Sequence, residues 1–464
     1  MTTLGGSFNA TANTGGIAGS TNGYSQTAGT ISTGAGAITI NARAANSGLD
    51  GVSITGGNLT TTSGAISITG QRGGGTGARN VLVSGALVST NSGAVTITGT
   101  NSTGGVGDGN HGVLIQSAAT IATTGGNLSI SGTAANIGPA AGEGQDGIFI
   151  RGANTIVQTV SGAITLTGAS SFVGAQSLNE GVHVNTAASV LATGSGAITV
   201  NGTATASVDA GIFVETNGVI AANGSGAVNF NGFSTATGNG FVVWSTGRVG
   251  AASATGPLTI TADQMVFDNG TPGTIQGAGA LVIKPSTIST SIGIAGGAGN
   301  LNLTTTALSA IADGFASRTF GRADGTGAVT VNALSSPDAL IINGGSVTIA
   351  GAVTTSGTDA ITINANRTIA INDNLIASGA GAIVVTANAG GLGDGVGLTL
   401  ASGKRITSAG GDILLTGTGG SSVAGDGIAI SGGTVATTGA AAITLTGARG
   451  AATLNGVNRN IYTT

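Results

Sequence analysis

A seven-residue phrase recurs along this chain: glycine, a small residue, then alternating aliphatic and hydroxyl side chains. It reads GAITINA at Ile38, GAISITG at Ile66, GAVTITG at Val95, GNLSISG at Leu128, GAITLTG at Ile164, GAITVNG at Ile198, GAVNFNG at Val228 and GPLTITA at Leu258. Those aliphatic positions are 28, 29, 33, 36, 34, 30 and 30 residues apart, and the beat returns at Ile383, Ile413 and Ile443, spaced 30 and 30. A repeat of this period is the mark of a solenoid, in which one turn cannot bury its apolar face until the next stacks on it. This overrides the prior of about three globular domains that 464 residues would suggest.

Each repeat carries three strand signals. The phrase itself is the first, and a variable glycine-rich stretch separates it from the second. The second strands read GVSIT (Val52, Ile54), NVLVS (Val81, Val83), GVLIQ (Val113, Ile115), GIFIR (Ile148, Ile150), GVHVN (Val182, Val184), GIFVE (Ile212, Val214) and GFVVW (Phe241, Val243). The third are GNLTTTSG, GALVSTNSG, AATIATTGG, NTIVQTVSG, ASVLATGSG and GVIAANGSG. Period-two alternation bounded by Gly and Asn is the strand pattern, and helical spacing is nearly absent. The prediction is an all-β, right-handed parallel β-helix, three-sided, with three short strands per coil of about 30 residues. Ile164 and Leu166 should face the core and Thr165 and Thr167 the solvent, with Gly and Asn at corners that need positive φ. Roughly 14 coils at the strand spacing would make a rod on the order of 70 Å.

Regular repeats are expected over residues 1–262 and 346–464. The rhythm breaks over 263–345, expected to be an irregular segment continuous with the solenoid. Here Thr305 to Asp313 reads as a short helix, with Leu308, Ile311 and Ala312 on one face and Gly314 as its stop.

Composition narrows the functional classes. The 89 glycines would suit a low-complexity chain, but the 40% hydrophobic content is periodic, which disorder does not explain. The net charge is −4, and Lys284 and Lys404 are the only lysines. There is no basic patch for nucleic acid or an anionic membrane surface. No apolar run approaches the roughly 18 residues of a spanning helix. With no Cys, disulfides and thiolate metal sites are excluded. The opening MTTLGGSFNA lacks the regions of a secretory signal.

The GAITITG-type phrases, the third-strand ATIATTGG phrases and ASGKRITSAGGDILLTG resemble the filamentous-haemagglutinin-like exoproteins and β-strand-repeat adhesins of Gram-negative bacteria. The stretch IGIAGGAGNLNLTTTALSAIADGFASRTFGRADGTGAVTV resembles a segment embedded in giant members of that group. The resemblance covers most of the chain. It implies a secreted or surface-attached β-helical rod serving adhesion, aggregation or a biofilm matrix, with host-cell or matrix glycans as candidate partners. The family's secretion module and carboxy-terminal anchor are not among these residues.

Candidate chemistry divides between site and scaffold. Asp50, Asp108, Asp146, Glu180, Asp209, Asp394 and Asp426 precede second strands, mostly as Asp-Gly. A stacked carboxylate ladder could bind Ca²⁺, but Asp-Gly also makes a turn, and the turn is the preferred reading. Outward pairs such as Ser67/Thr69, Thr96/Thr98, Thr165/Thr167, Thr259/Thr261 and Thr444/Thr446 form a T-x-T column like those of ice-binding solenoids. Asn41, Asn201, Asn229, Asn231, Asn332 and Asn364 interrupt it. A polysaccharide-cleaving β-helix needs a singular acid cluster, whereas these acids recur at equivalent positions. His111 and His183 are read as structural, and Phe149, Phe241 and Trp244 as internal packing rather than a sugar-stacking patch. The loops GQRGGGTGARN and GGVGDGNHG lack the Lys-Ser/Thr ending of a phosphate cradle.

The sequence therefore predicts a non-enzymatic structural or adhesive rod with no catalytic, cofactor-binding or metal-ligating residue and no cofactor. The alternatives are a glycan-binding or glycan-cleaving β-helix and an ice-binding solenoid. Neither end carries a recognisable cap, so the coil is expected to continue in a longer chain or to stack end to end with copies of itself.

Overall fold

The computed structural model describes residues 1–464 apart from 16–18, 20, 47, 76, 101–108, 136–143, 172–178, 206–208, 236–237, 268–270, 390–391, 394, 421–424 and 451–458. Two compact units emerge: Met1–Ala262 with Val266–Ala278, and Asp263–Met265 with Gly279–Thr464. Both are parallel β-helices.

In the first unit the repeated phrase forms one parallel sheet, including Ile66–Gln71, Val95–Gly99, Leu128–Ala135, Ile164–Ser171, Ile198–Ala204 and Val228–Ser234. The second strands form another, including Val81–Ser84, Val113–Gln116, Ile148–Arg151, Val182–Asn185 and Ile212–Val214. The third set, including Leu87–Thr90, Thr120–Thr123, Ile156–Thr159 and Ser189–Ala192, completes the three sides. Each strand pairs with its counterpart one coil away, so Val95, Leu128, Ile164, Ile198 and Val228 stack in a single aliphatic ladder. Ile164 and Leu166 are fully buried and Thr167 is exposed, as the alternation requires.

The phrase begins with glycine for a steric reason. A Cβ built on Gly93 would lie 2.0 Å from the Gly64 carbonyl oxygen; on Gly126, 1.7 Å from that of Gly93; on Gly162, 1.9 Å from that of Gly126. The glycine closing the phrase is confined by its own coil, since a Cβ on Gly168 would lie 1.9 Å from the carbonyl oxygen of Gly181, which enters the next strand. At the opening glycines the coils approach more closely than any side chain permits. Corners between second and third strands differ again. Thr186 (φ 51°) and Ala187 (φ 61°) form a left-handed pair, as do Ser117 and Ala118, so neither Gly nor Asn is obligatory there. Such residues are held by inter-coil bonds, for example from the Ala187 amide to the Thr216 carbonyl at 3.0 Å.

The second unit holds shorter coils. Leu340, Ile361 and Ile383 stack as partners, giving turns of 21 and 22 residues (340 to 361 and 361 to 383). The saving comes between first and second strands: Leu340–Gly344 is followed almost at once by Ser346–Ile349. The expected helix is present but shorter, spanning Thr305–Ser309, with the Thr304 hydroxyl accepting the Ala307 amide at 3.0 Å. It ends early because Ala310 and Ile311 donate to Ala307 and Leu308, three residues back, which tightens the last turn. Gly314, with φ 110°, lies beyond that end rather than capping it. Nearby, Arg318 takes an inward position between Leu281 and Leu340. Its Nε donates to Asp338 Oδ2 at 2.6 Å and its Nη2 to the Ala312 carbonyl at 2.9 Å, so the buried charge is paired.

Gly162→Ala should destabilise the chain by roughly 2–3 kcal/mol, because backbone and not a flexible side chain must move. At Gly125 the nearest atoms to a built Cβ are 3.8 Å away, and Gly125→Ala should change stability by less than about 0.5 kcal/mol. Chemical denaturation of the two variants checks the contrast. Ala187→Gly should stabilise by about 1 kcal/mol by relieving the left-handed strain, measured in the same way.

Candidate functional site

The second sheet of the first unit is buried on both faces. Its inward positions are Val81, Val113, Ile148, Val182 and Ile212, but the outward residues between them are also covered or half-covered. These are Leu82, Leu114, Phe149, His183 and Phe213, stacked in register one per coil. Leu82, Leu114 and Phe149 form a small apolar cluster of their own. The His183 ring lies between Phe149 and Phe213, with centroids 4.6 and 5.0 Å away, and His111 packs on the other side of Phe149 at 5.1 Å. The Arg151 guanidinium sits 5.0 Å from the Phe149 centroid.

A second column runs through the residues that enter these strands: Asp50, Arg79, His111, Asp146 and Glu180. Each acceptor reaches along the stack to the next coil's backbone. Asp50 Oδ1 accepts the Arg79 amide at 2.8 Å, His111 Nδ1 accepts the Asp146 amide at 3.3 Å, and Asp146 Oδ1 accepts the Glu180 amide at 2.8 Å. In the second unit Asp426 does the same for Arg459 at 2.7 Å. This refines the turn reading: the acids cap the neighbouring coil. The following glycine is required by close approach, since a Cβ on Gly147 would lie 2.3 Å from the Ala169 nitrogen. Asp50 and Asp426 also form ion pairs with Arg79 and Arg459, each at 3.1 Å. Asp209 is buried one position earlier relative to its strand. Asp108 and Asp394 lie outside the described residues.

At Asp146 the two columns meet. His183 Nδ1 is 3.6 Å from both Asp146 Oδ2 and Glu180 Oε2, and its Nε2 is 3.2 Å from Glu215 Oε1. Asp146, Glu180 and His183 are 1%, 3% and 4% exposed. Their electrostatics diverge. Burial lowers His111 to about 4, and its acceptor role at Nδ1 fixes it as the neutral ring with the proton on Nε2. Burial alone would also lower His183, but contacts with Asp146 and Glu215 and the charge of Glu180 raise it to about 10. Burial works to raise Asp146, yet His183 and His111 bring it below the usual range. Burial and then repulsion from Asp146 push Glu180 well above it. The His183 contact holds Glu215 down. The result is a compact buried cluster in which one atom each of Asp146, Glu180 and His183 lies within 4.8 Å of the others, an arrangement able to hold a metal ion.

The remaining sequence candidates do not join this cluster. Phe241 points inward against Phe230 and Phe267, at 5.0 and 6.1 Å, while Trp244 is 47% exposed. Phe149, Phe241 and Trp244 therefore form no common patch. On the first sheet the outer column runs Thr98, Ser131, Thr167, Asn201, Asn231, Thr261. Asn231 Nδ2 donates to Asn201 Oδ1 at 2.9 Å, which ties the interrupting asparagines to one another.

Among known proteins, no family model, no curated protein and no solved structure matches the chain. Among the described residues, no helix is long and apolar enough to cross a membrane.

The convergence of His183 with Asp146 and Glu180 escapes a reading that treats His111 and His183 as isolated strand-edge residues. A signal was present in the runs VLV, VLI, IFI, VHV and IFV. Unbroken apolar runs, unlike the alternating I-T-L-T phrases, mark strands covered on both faces. A histidine in that row is consequently buried and requires partners.

Phe149→Ala should cost about 3 kcal/mol, because it opens the outer ladder between two histidine rings. Trp244→Ala should stay within about 0.5 kcal/mol. Thermal or denaturant unfolding of both variants measures the difference.

Proposed function

We propose that this chain is a structural or adhesive β-helical segment of an extracellular surface or matrix exoprotein of the filamentous-haemagglutinin-like type. The observation that carries the reading is the in-register repetition of uncharged polar side chains on the outer face of the first sheet. Thr96, Ser129, Thr165, Thr199, Asn229 and Thr259 stack one per coil. Such a column offers the same weak hydrogen-bonding group at every strand spacing of about 4.8 Å. It suits an extended, repetitive partner, such as a matrix or host-cell glycan, better than a small substrate held at one point. The sequence resemblance to repeat adhesins supports the same class and the extracellular location.

The alternative, a polysaccharide-cleaving β-helix, would require acids that reach the substrate. The cluster at Asp146, Glu180, His183 and Glu215 has its histidine and two of its carboxylates almost wholly buried, which favours the scaffold. Copies of the chain are the second proposed partner. Parallel strands send their N–H and C=O groups along the coil axis, so an open edge is a template for another coil.

The test pairs binding with turnover. The purified chain should be retained on a subset of immobilised matrix polysaccharides while releasing no reducing ends or unsaturated products from them. Sedimentation and electron microscopy should show concentration-dependent end-to-end assembly. Turnover abolished by Asp146→Asn would replace this proposal with the enzyme reading. A strictly monomeric chain that binds no glycan would remove its support.

A further inference from the structure

We propose that Asp146, Glu180 and His183 bind one divalent transition-metal ion of the zinc type, clasping two adjacent coils on the outer face of the second sheet. This is independent of adhesion and rests on four geometric features.

First, the ring nitrogen is spaced from both carboxylate oxygens as a ligand rather than as a hydrogen-bond partner. His183 Nδ1 is 3.6 Å from both Asp146 Oδ2 and Glu180 Oε2, beyond hydrogen-bond range. Tetrahedral bonds of about 2.0–2.2 Å place neighbouring ligand atoms roughly 3.3–3.6 Å apart. Second, Asp146 Oδ2 and Glu180 Oε2 are buried and have no hydrogen-bond partner. The other Asp146 oxygen is already committed to the Glu180 amide. A carboxylate oxygen withdrawn from water and left without a donor is costly, and a cation at this point satisfies both.

Third, the distal nitrogen of the ring is held as it is in metal-ligating histidines. His183 Nε2 faces Glu215 Oε1 at 3.2 Å, and Glu215 accepts from Asn185 Nδ2 at 3.2 Å and from the Thr216 hydroxyl at 3.3 Å. This supporting carboxylate directs Nδ1 towards Asp146 and Glu180. Fourth, stacking between Phe149 and Phe213 fixes the ring plane before any ion arrives.

The donor set also selects the ion. One imidazole and two carboxylates suit zinc and its neighbours, whereas Ca²⁺ takes six to eight oxygens. His111, although 3.5 Å from Asp146 Oδ2, already uses Nδ1 to accept the Asp146 amide and is left out of the ligand set. A protonated His183 bridging the two acids with no metal is the competing account.

Chelator-stripped, folded full-length chain should be titrated with Zn²⁺ by calorimetry and, in parallel, with Co²⁺ by visible absorption. The expected result is one saturable Zn²⁺ per chain, intense low-coordinate Co²⁺ bands displaced by Zn²⁺, and a melting midpoint that rises with Zn²⁺ but not with Ca²⁺ or Mg²⁺. His183→Phe keeps the ladder, since Phe149 and Phe213 are its register neighbours, and should lower affinity roughly a hundredfold or more. Asp146→Asn retains the Oδ1 acceptor and should lose a similar amount. Glu215→Gln should weaken binding by about 10–100-fold. No saturable site in the folded wild-type chain, or a Co²⁺ spectrum indistinguishable from the aqueous ion, overturns the proposal. So does wild-type affinity in a folded His183→Phe variant. The wild-type cobalt spectrum decides even where a variant fails to fold.

Discussion

The close approach of successive backbones at the glycine corners is the constraint on which the first unit depends. Gly64, Gly93, Gly126 and Gly162 stack with room for a hydrogen and none for a methyl group. That contact sets the register: once the glycines are superposed, Ile66, Val95, Leu128 and Ile164 must also superpose, and the aliphatic core follows. A one-residue slip would turn every core side chain outwards. Glycine here supplies absence of volume rather than conformational freedom, and for that reason the phrase recurs while the loops between its copies vary in length.

The three sides of the coil then diverge in character. The first sheet keeps an apolar inner face and a hydroxyl- and amide-bearing outer face. The second is buried twice over, and its outer row exchanges Thr and Ser for Leu, Phe and His. That second layer creates a dry zone outside the main core, and burial there moves His111 and Glu180 away from their ordinary ranges. His111 and His183 illustrate the effect. Both are nearly inaccessible, yet burial lowers one to about 4 while, with no ion at the cluster, its contacts with Asp146 and Glu215 and the charge of Glu180 raise the other to about 10. Position relative to the acid column, not residue type, decides which occurs.

Within the second unit the same architecture tolerates coils of 21 and 22 residues (340 to 361 and 361 to 383), a five-residue helix and an arginine in a ladder position. The tolerance is physical. A parallel ladder needs only that each strand meets its counterpart, so the connections can shrink or fold differently as long as polar groups such as Arg318 find a partner.

The sequence by itself determined the repeat, the three strands per coil, the inward aliphatic rows and the parallel pairing of like with like. All of these follow from periodicity, a local property that each repeat states again. It also marked the position of the short helix, though not where that helix ends, because its last turn is tightened by bonds the spacing does not reveal. Tertiary structure alone decided what the acids and histidines do. Asp146 belongs to one coil, Glu180 and His183 to the next and Glu215 to the one after. They become neighbours because coils of unequal length, 34 residues from Ile148 to Val182 and 30 from Val182 to Ile212, still superpose strand on strand. Register converts separations of more than thirty residues into contacts of a few ångströms, and a cluster assembled in that way has no signature in any single stretch of the chain.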